Sequence, residues 1–219
     1  MVNHQNPSTT EATEPTDRAM LVRTGRLLAW FTIVWNTIEG AVGILSGLAA
    51  GSVALVGFGV DSYVEVLAGA VIIWRLAQER HGHDVSEAAE RRAVLIIAAT
   101  FAVLAVGIAA ESIRKLVTGE HPDPSPVGIA LTVVSLIIMP TLARSKRRVG
   151  QGLGSRAVTA DATQTTLCVW LSAIVLVGLV ANAMLGWWWA DPVAAFAVVY
   201  VAASEAREHW QADQVDDCC

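Results

Sequence analysis

Charge is scarce in this chain. Asp, Glu, Lys and Arg together make up 16% of its 219 residues, where a soluble domain of ordinary composition carries about a quarter. That is too little to cover a water-facing surface and argues against a soluble enzyme. Aromatic residues are also few, at 6%, and 20 acids against 15 bases leave a formal net charge of −5. A nucleic-acid binder would show a basic patch or stripe, so that class is set aside and no nucleic-acid partner is expected. Cysteine is confined to Cys168, Cys218 and Cys219, too few for a disulfide framework. What the chain has in abundance is apolar surface, with 54% hydrophobic residues and a mean hydropathy of +0.50. The composition is that of an integral membrane protein.

The opening segment, residues 1–20, is polar and lacks an apolar core. It reads as a disordered cytoplasmic tail and not as a cleavable signal peptide. A spanning helix needs about 20 mostly apolar residues, and the predicted spans are 27–48, 53–74, 93–113, 127–143, 157–183 and 187–204. The last is short, but Trp187, Trp188 and Trp189 suit a membrane interface. The expected fold is therefore all-α, a polytopic membrane protein with six transmembrane helices. Thirteen of the 15 basic residues fall on one side of these spans, including Arg18, Arg23, Arg26, Arg75, Arg80 and the run Arg144 to Arg148. The positive-inside rule makes that side cytoplasmic, with both termini inside. The membrane domain is expected over 21–210, followed by a cytoplasmic tail, 211–219, too short to fold alone.

Inside the spans lie Glu39, Asp61, Glu65 and Asp161, with Gln164 and Cys168, and no Lys or Arg is expected at comparable depth. Each charged carboxylate near the bilayer centre costs on the order of 2.5–3.5 kcal/mol. Four such groups would cost roughly 10 kcal/mol, as much as a whole domain's stability. They must be protonated, solvated in a cavity, or bound to a cation. Asp61 and Glu65 stand at i, i+4 and share a face of the second helix. Their flanks, LVGFGV and VLAGAVII, leave no room for the usual explanation of such a pair, a solvated surface. Asp161, Gln164 and Cys168, at i, i+3 and i+7, share a face of the fifth. Taken alone, Cys168 is equally well an apolar filler and Gln164 an interhelical hydrogen-bonding residue. A short internal echo bears on them: Gly51-Ser52-Val53-Ala54 and Gly154-Ser155-Arg156-Ala157 open the second and fifth spans. Ten and fourteen residues beyond each Gly stand Asp61 and Glu65 in one copy, Gln164 and Cys168 in the other. The echo suggests a four-ligand metal site between two related helices: Asp61, Glu65, Gln164 and Cys168.

These segments resemble the cation diffusion facilitator family of divalent-metal transporters. GSVALVGFGVDSYVEVLAG is similar to the family's second helix with its acid-x-x-x-acid pair, and AVTADATQTTLC to its fifth, where an Ala-Asp precedes a His-x-x-x-Asp or Asn-x-x-x-Asp pair. AAESIRKLVTGEHPDPSP resembles the end of helix 3 with its Pro-rich outer loop, and WWWADPVAA the Asp-Pro start of helix 6. The resemblance runs in order over residues 21–210. It implies export of metal from the cytoplasm in exchange for protons, by alternating access in a homodimer. It makes Asp61 and Glu65 metal ligands, with Gln164 and Cys168 in the remaining positions. Two departures stand out. Gln164 and Cys168 replace His and Asp, and the family's cytoplasmic metal-binding domain is not expected in this chain. An amide oxygen is a weak zinc donor, whereas a thiolate favours zinc, cadmium and other thiophilic ions over manganese or magnesium. Because metal must displace the thiol proton and any carboxyl protons, binding should release protons.

Glu39 and Asp161 are candidates for proton coupling or additional ligation, with a protonated acid hydrogen-bonded to a neighbouring helix as the plainer reading of Glu39. His81 and His83, and the terminal Cys218 and Cys219, are candidates for peripheral metal capture, a solvated loop being the simpler account of the histidines. Gly43, Gly47 and Gly51 form a GxxxGxxxG series suited to close helix approach. Glu111 with Arg114 and Lys115 reads as a local salt bridge at the outer rim, and the basic run after the fourth span as a topology determinant. The expected function is a proton-coupled exporter of zinc or a softer divalent ion in a bacterial cytoplasmic (inner) membrane. Metal ion and proton are its substrates, lipid its surroundings, and no tightly bound cofactor is expected. The alternative is a metal-binding membrane protein that senses or assists without transporting. An intramembrane enzyme is disfavoured, since none of the five histidines lies in a span.

Overall fold

The computed structural model describes residues 15–81 and 87–216, all-helical apart from short turns. The helices are α1 (Pro15–Ala50), α2 (Val53–His81), α3 (Glu87–Thr118), α4 (Pro126–Leu153), α5 (Arg156–Leu185) and α6 (Ala190–Asp216). Among the described residues, four stretches are long and apolar enough to cross a membrane: Arg18–Ala50, Val53–Val71, Pro126–Leu153 and Asp161–Leu185. A shorter apolar stretch, Ala190–Ser204, opens α6. The helices overrun the apolar segments from which spans were predicted; α1 begins at Pro15 and α4 continues to Leu153. Hydropathy marks the part of a helix that suits hydrocarbon, whereas backbone hydrogen bonding carries the helix on into polar surroundings.

The outer faces are apolar where a water-soluble bundle would be polar, and polar side chains are drawn inside. On α1, Thr32, Asn36 and Glu39 are buried while Leu27, Trp30, Phe31, Val34 and Ile38 are exposed. The same holds elsewhere, with Val177 and Met184 outermost on α5 and Ser172 and Thr165 innermost. Apolar side chains facing outward and polar ones inward suit a lipid solvent, which makes no demand for surface charge and cannot satisfy polar groups. This is an integral membrane protein.

α1 packs most extensively on α2, α4 on α5, and α3 on α6, while α2 also touches α3, α5 and α6 and so occupies the middle. A core of Leu55, Phe58, Ile108, Met139, Leu171, Val175 and Val198 ties α2 through α6 together.

The two hairpins α1–α2 and α4–α5 are built alike. Each turns at a left-handed glycine, Gly51 (φ 62°) or Gly154 (φ 63°), a conformation costly for any residue with a Cβ. The next residue, Ser52 or Ser155, caps the second helix by accepting the N–H of Leu55 or Val158. Four residues before each turn glycine lies another, Gly47 or Gly150, where the partner helix comes close. A Cβ on Gly47 would stand 2.7 Å from the Val56 nitrogen, and one on Gly150 2.9 Å from the Thr159 nitrogen. The echo between residues 51–54 and 154–157 is thus a repeated turn. The glycine series on α1 is corrected by the same geometry. Gly40, Gly43 and Gly47 face Gly59 and Val56, whereas Gly51 belongs to the turn.

At the opposite end from the α4–α5 turn, three connections interlock. Asp191 of α6 accepts from the Ser52 hydroxyl and from the Val53 N–H at 2.9 Å. Asn182 donates to the Pro122 carbonyl at 2.9 Å, and His121 stacks on Trp188. Lys115 does not share the rim salt bridge expected of it. It is buried and donates to the Gly51 carbonyl, while Arg114 alone clasps Glu111 and Glu120. That guanidinium holds the Glu120 carboxyl below the usual carboxylate range.

Candidate metal and proton site

Four helices line a buried polar track, each contributing from one face. α1 supplies Thr32, Asn36 and Glu39, α2 supplies Asp61, Ser62 and Glu65, α4 supplies Thr132, Ser135 and Lys146, and α5 supplies Asp161, Thr165, Cys168 and Ser172; all are buried. The spacings i, i+4, i+7 on α1 and on α5 are those of one helical face, so the sequence aims these groups inward as soon as each helix forms.

Glu65 lies near the middle. Its Oε2 accepts from Asn36 Nδ2 at 2.6 Å, and the charges of Lys146 and Asp161 both act on it. Toward one end, Glu39 Oε2 accepts from Ser62 at 3.1 Å, with Ser135 of α4 beside it; the Ser172 hydroxyl donates to Ser135 at 3.1 Å. Toward the other end, Lys146 Nζ pairs with Asp161 Oδ2 and donates to Thr165 Oγ1, each at 2.9 Å. The free thiol of Cys168 is buried in electrostatic reach of Glu65, Glu39, Asp61 and Lys146. Among the described residues, three buried carboxylates keep an oxygen without a hydrogen-bond partner: Glu39 Oε1, Glu65 Oε1 and Asp161 Oδ1. Buried polar atoms are rarely left so.

Of the residues singled out from the sequence, Asp61, Glu65, Cys168, Glu39 and Asp161 come to this one interior. Gln164 lies at the margin of the α5 face, half-buried, and the fully buried position beside it is Thr165. Among the described residues no group of three or more His, Cys, Asp and Glu side chains is close enough to hold a metal ion. His81 is the last residue of α2; His83, Cys218 and Cys219 lie outside the described residues.

One expectation is overturned. Asp161 is not an acid without a base, because Lys146 is at comparable depth, with 2% of its side chain exposed. Removing one member of so buried a pair costs about 3–5 kcal/mol. The signal for Lys146 lies in helical phase. Met139, Leu142, Ala143, Lys146, Val149 and Gly150 form the buried stripe of α4, whereas its neighbours Arg144, Arg147 and Arg148 point out.

Comparison with known proteins places these features in a family. The model of the cation efflux transmembrane domain matches residues 29–210; the chain belongs to the cation efflux family, whose members are transporters. It is 30% identical over 154 residues to an uncharacterized transporter of Synechocystis sp., covering 68% of this chain and 49% of that one. An uncharacterized transporter of Methanocaldococcus jannaschii is 24% identical over 181 residues, 80% of this chain and 63% of the relative. Transmembrane protein 163 of Xenopus laevis is 25% identical over 134 residues, 61% and 47% respectively. The chain spans about half to two thirds of the length of these relatives.

Proposed function

We propose that this protein exports a divalent cation, zinc or a softer ion such as cadmium, from the cytoplasm in exchange for protons. It works by alternating access through the interior between α2 and α5, as a homodimer with six spans and both termini inside. The observation that carries this reading is the set of three buried carboxylates, Glu39, Glu65 and Asp161, each with an oxygen lacking a hydrogen-bond partner, around a buried thiol. Such oxygens are acceptors awaiting a cation or a proton.

Asp61, Glu65, Cys168 and Gln164 are the proposed ligands. Asp61 and Glu65 present two oxygen donors one turn apart, and the Cys168 sulfur supplies the soft donor that prefers zinc or cadmium. Gln164, half-buried at the margin of the same α5 face, is the fourth ligand through its amide oxygen. Coordination deprotonates the thiol and any protonated carboxyl, and Glu39, deeper along the track, takes up and delivers protons as the metal leaves. The cycle therefore exchanges metal for protons at one interior without requiring both at once.

A second reading, a metal-binding membrane protein that does not transport, is favoured by one observation. Among the described residues no three ligands stand ready to grip an ion. Uptake of zinc, cadmium, cobalt and manganese into proteoliposomes under an imposed pH gradient separates the two. Gradient-dependent uptake in wild type, abolished in Asp61→Ala, is the expected result. Metal bound in detergent with no uptake would favour the second reading.

A further inference from the structure

The base inside the track belongs to none of the proposed ligands. We propose that Lys146 is a tethered cation that competes with the transported ion, so that seating of its ammonium on Asp161 and occupation of the site at Glu65 and Cys168 oppose one another. The inference deepens the exporter reading and rests on it.

Three observations carry it. The Lys146 side chain is nearly fully enclosed and its ammonium lies 2.9 Å from Asp161 Oδ2 and from Thr165 Oγ1. Thr165, which the ammonium reaches, stands on the same buried face of α5 as Cys168, one turn before it, and both Cys168 and Glu65, through which the ion is proposed to be held, lie within electrostatic reach of the ammonium. Both Asp161 and Glu65 keep an oxygen with no hydrogen-bond partner, so the ammonium does not exhaust the acceptors around it. A single positive charge is thus held beside the place where a double one is proposed to arrive.

A purely structural staple between α4 and α5 accounts poorly for this choice of residue. The two helices are already locked at that end by the Gly154–Ser155 turn and by the approach of Gly150 to Thr159. A well-packed apolar residue joins helices at least as well as a buried ion pair, which must repay the desolvation of both ions. What an apolar residue cannot supply is a like charge in a low-dielectric interior, where charges act on each other far more strongly than in water. That repulsion weakens the grip on the ion, and the return of the ammonium helps to expel it. A transporter needs this, because an ion held too tightly is not released.

The test is binding of zinc and of cadmium to the full chain in detergent, by competition with a chelating dye, for wild type, K146Q and K146R. K146Q is expected to bind roughly tenfold more tightly than wild type, within the range usual for coupled sites, and K146R, which keeps the charge, to stay close to wild type. A structural staple would instead lower the melting temperature of K146Q with no gain in affinity, and that result overturns the proposal. Should K146Q not fold, D161N and K146Q/D161N supply the same comparison with no carboxylate left unpaired. The double variant is expected to bind the more tightly, and equal affinities overturn the proposal. Asp61-dependent binding in wild type with no tightening in K146Q removes this inference and leaves the exporter reading standing. Binding by none of the variants removes both.

Discussion

A carboxylate buried among membrane helices has to be matched by a proton, a hydrogen bond or a cation, and Glu39, Glu65 and Asp161 are each matched on one oxygen alone. Glu39 and Glu65 have one oxygen satisfied and one not, and Asp161 has a lysine on one oxygen and nothing on the other. Cys168 is the residue through which metal preference should be set. Cys168→Asp, replacing a soft donor by a hard one, is expected to keep binding and shift preference from cadmium toward manganese; competition between the two metals measures it, and an unaltered preference would take Cys168 out of the site. The acids were legible in the sequence because a charge inside an apolar run stands out wherever the helix ends are drawn. Lys146 was not, for it lies in a basic run that looks like a loop, and only the continuation of α4 to Leu153 gives that run a helical phase. Thr165 and Asn36 were missed for a different reason: neutral polar residues in a span are common, and only their contacts with Lys146 and Glu65 mark them.

At the scale of the helices, the repeated hairpin dominates. α1 and α2 approach so closely at Gly59 that a Cβ there would meet the Ile44 nitrogen at 2.7 Å, backbone that cannot swing aside. Gly59→Val is therefore expected to lose at least the 1–3 kcal/mol typical of overpacking, seen as a lower melting temperature in detergent. Gly107 is its control. Nothing lies within 4 Å of a Cβ at that position and the residue is helical, so Gly107→Ala should be neutral or gain up to about 1 kcal/mol from helix propensity. The repeat was partly visible as Gly-Ser-x-Ala. Its fuller form, a glycine four residues earlier in each copy, was hidden because the series Gly43-Gly47-Gly51 invites a single GxxxGxxxG reading that crosses from a packing face into a turn.

For the molecule as a whole, helix identity and order followed from hydropathy, while the pairing of α3 with α6 had no counterpart in any local pattern, since contacts between distant segments leave no periodic trace. Orientation is open to direct measurement. In a chain with its three cysteines changed to serine, Asp123→Cys on the turn before α4 should react with a membrane-impermeant maleimide added outside intact cells. Arg148→Cys should react only after permeabilisation, and the reverse pattern would invert the topology.

The α3–α6 pairing also sets an order of events during synthesis. α1 and α2 can close as a hairpin as soon as they emerge, and so can α4 and α5. α3 cannot, because the helix it packs against most, α6, is made only after α4 and α5. Roughly seventy residues separate the end of α3 from the start of α6, which at 5–20 residues per second corresponds to about 4–14 s of translation. For that interval the inward face of α3, with Ser112 and Lys115 on it, waits in the membrane without its main partner. The interlock of Asp191 with Ser52 and Val53 can form only once α6 is made, so that helix fastens onto the end of the hairpin made first.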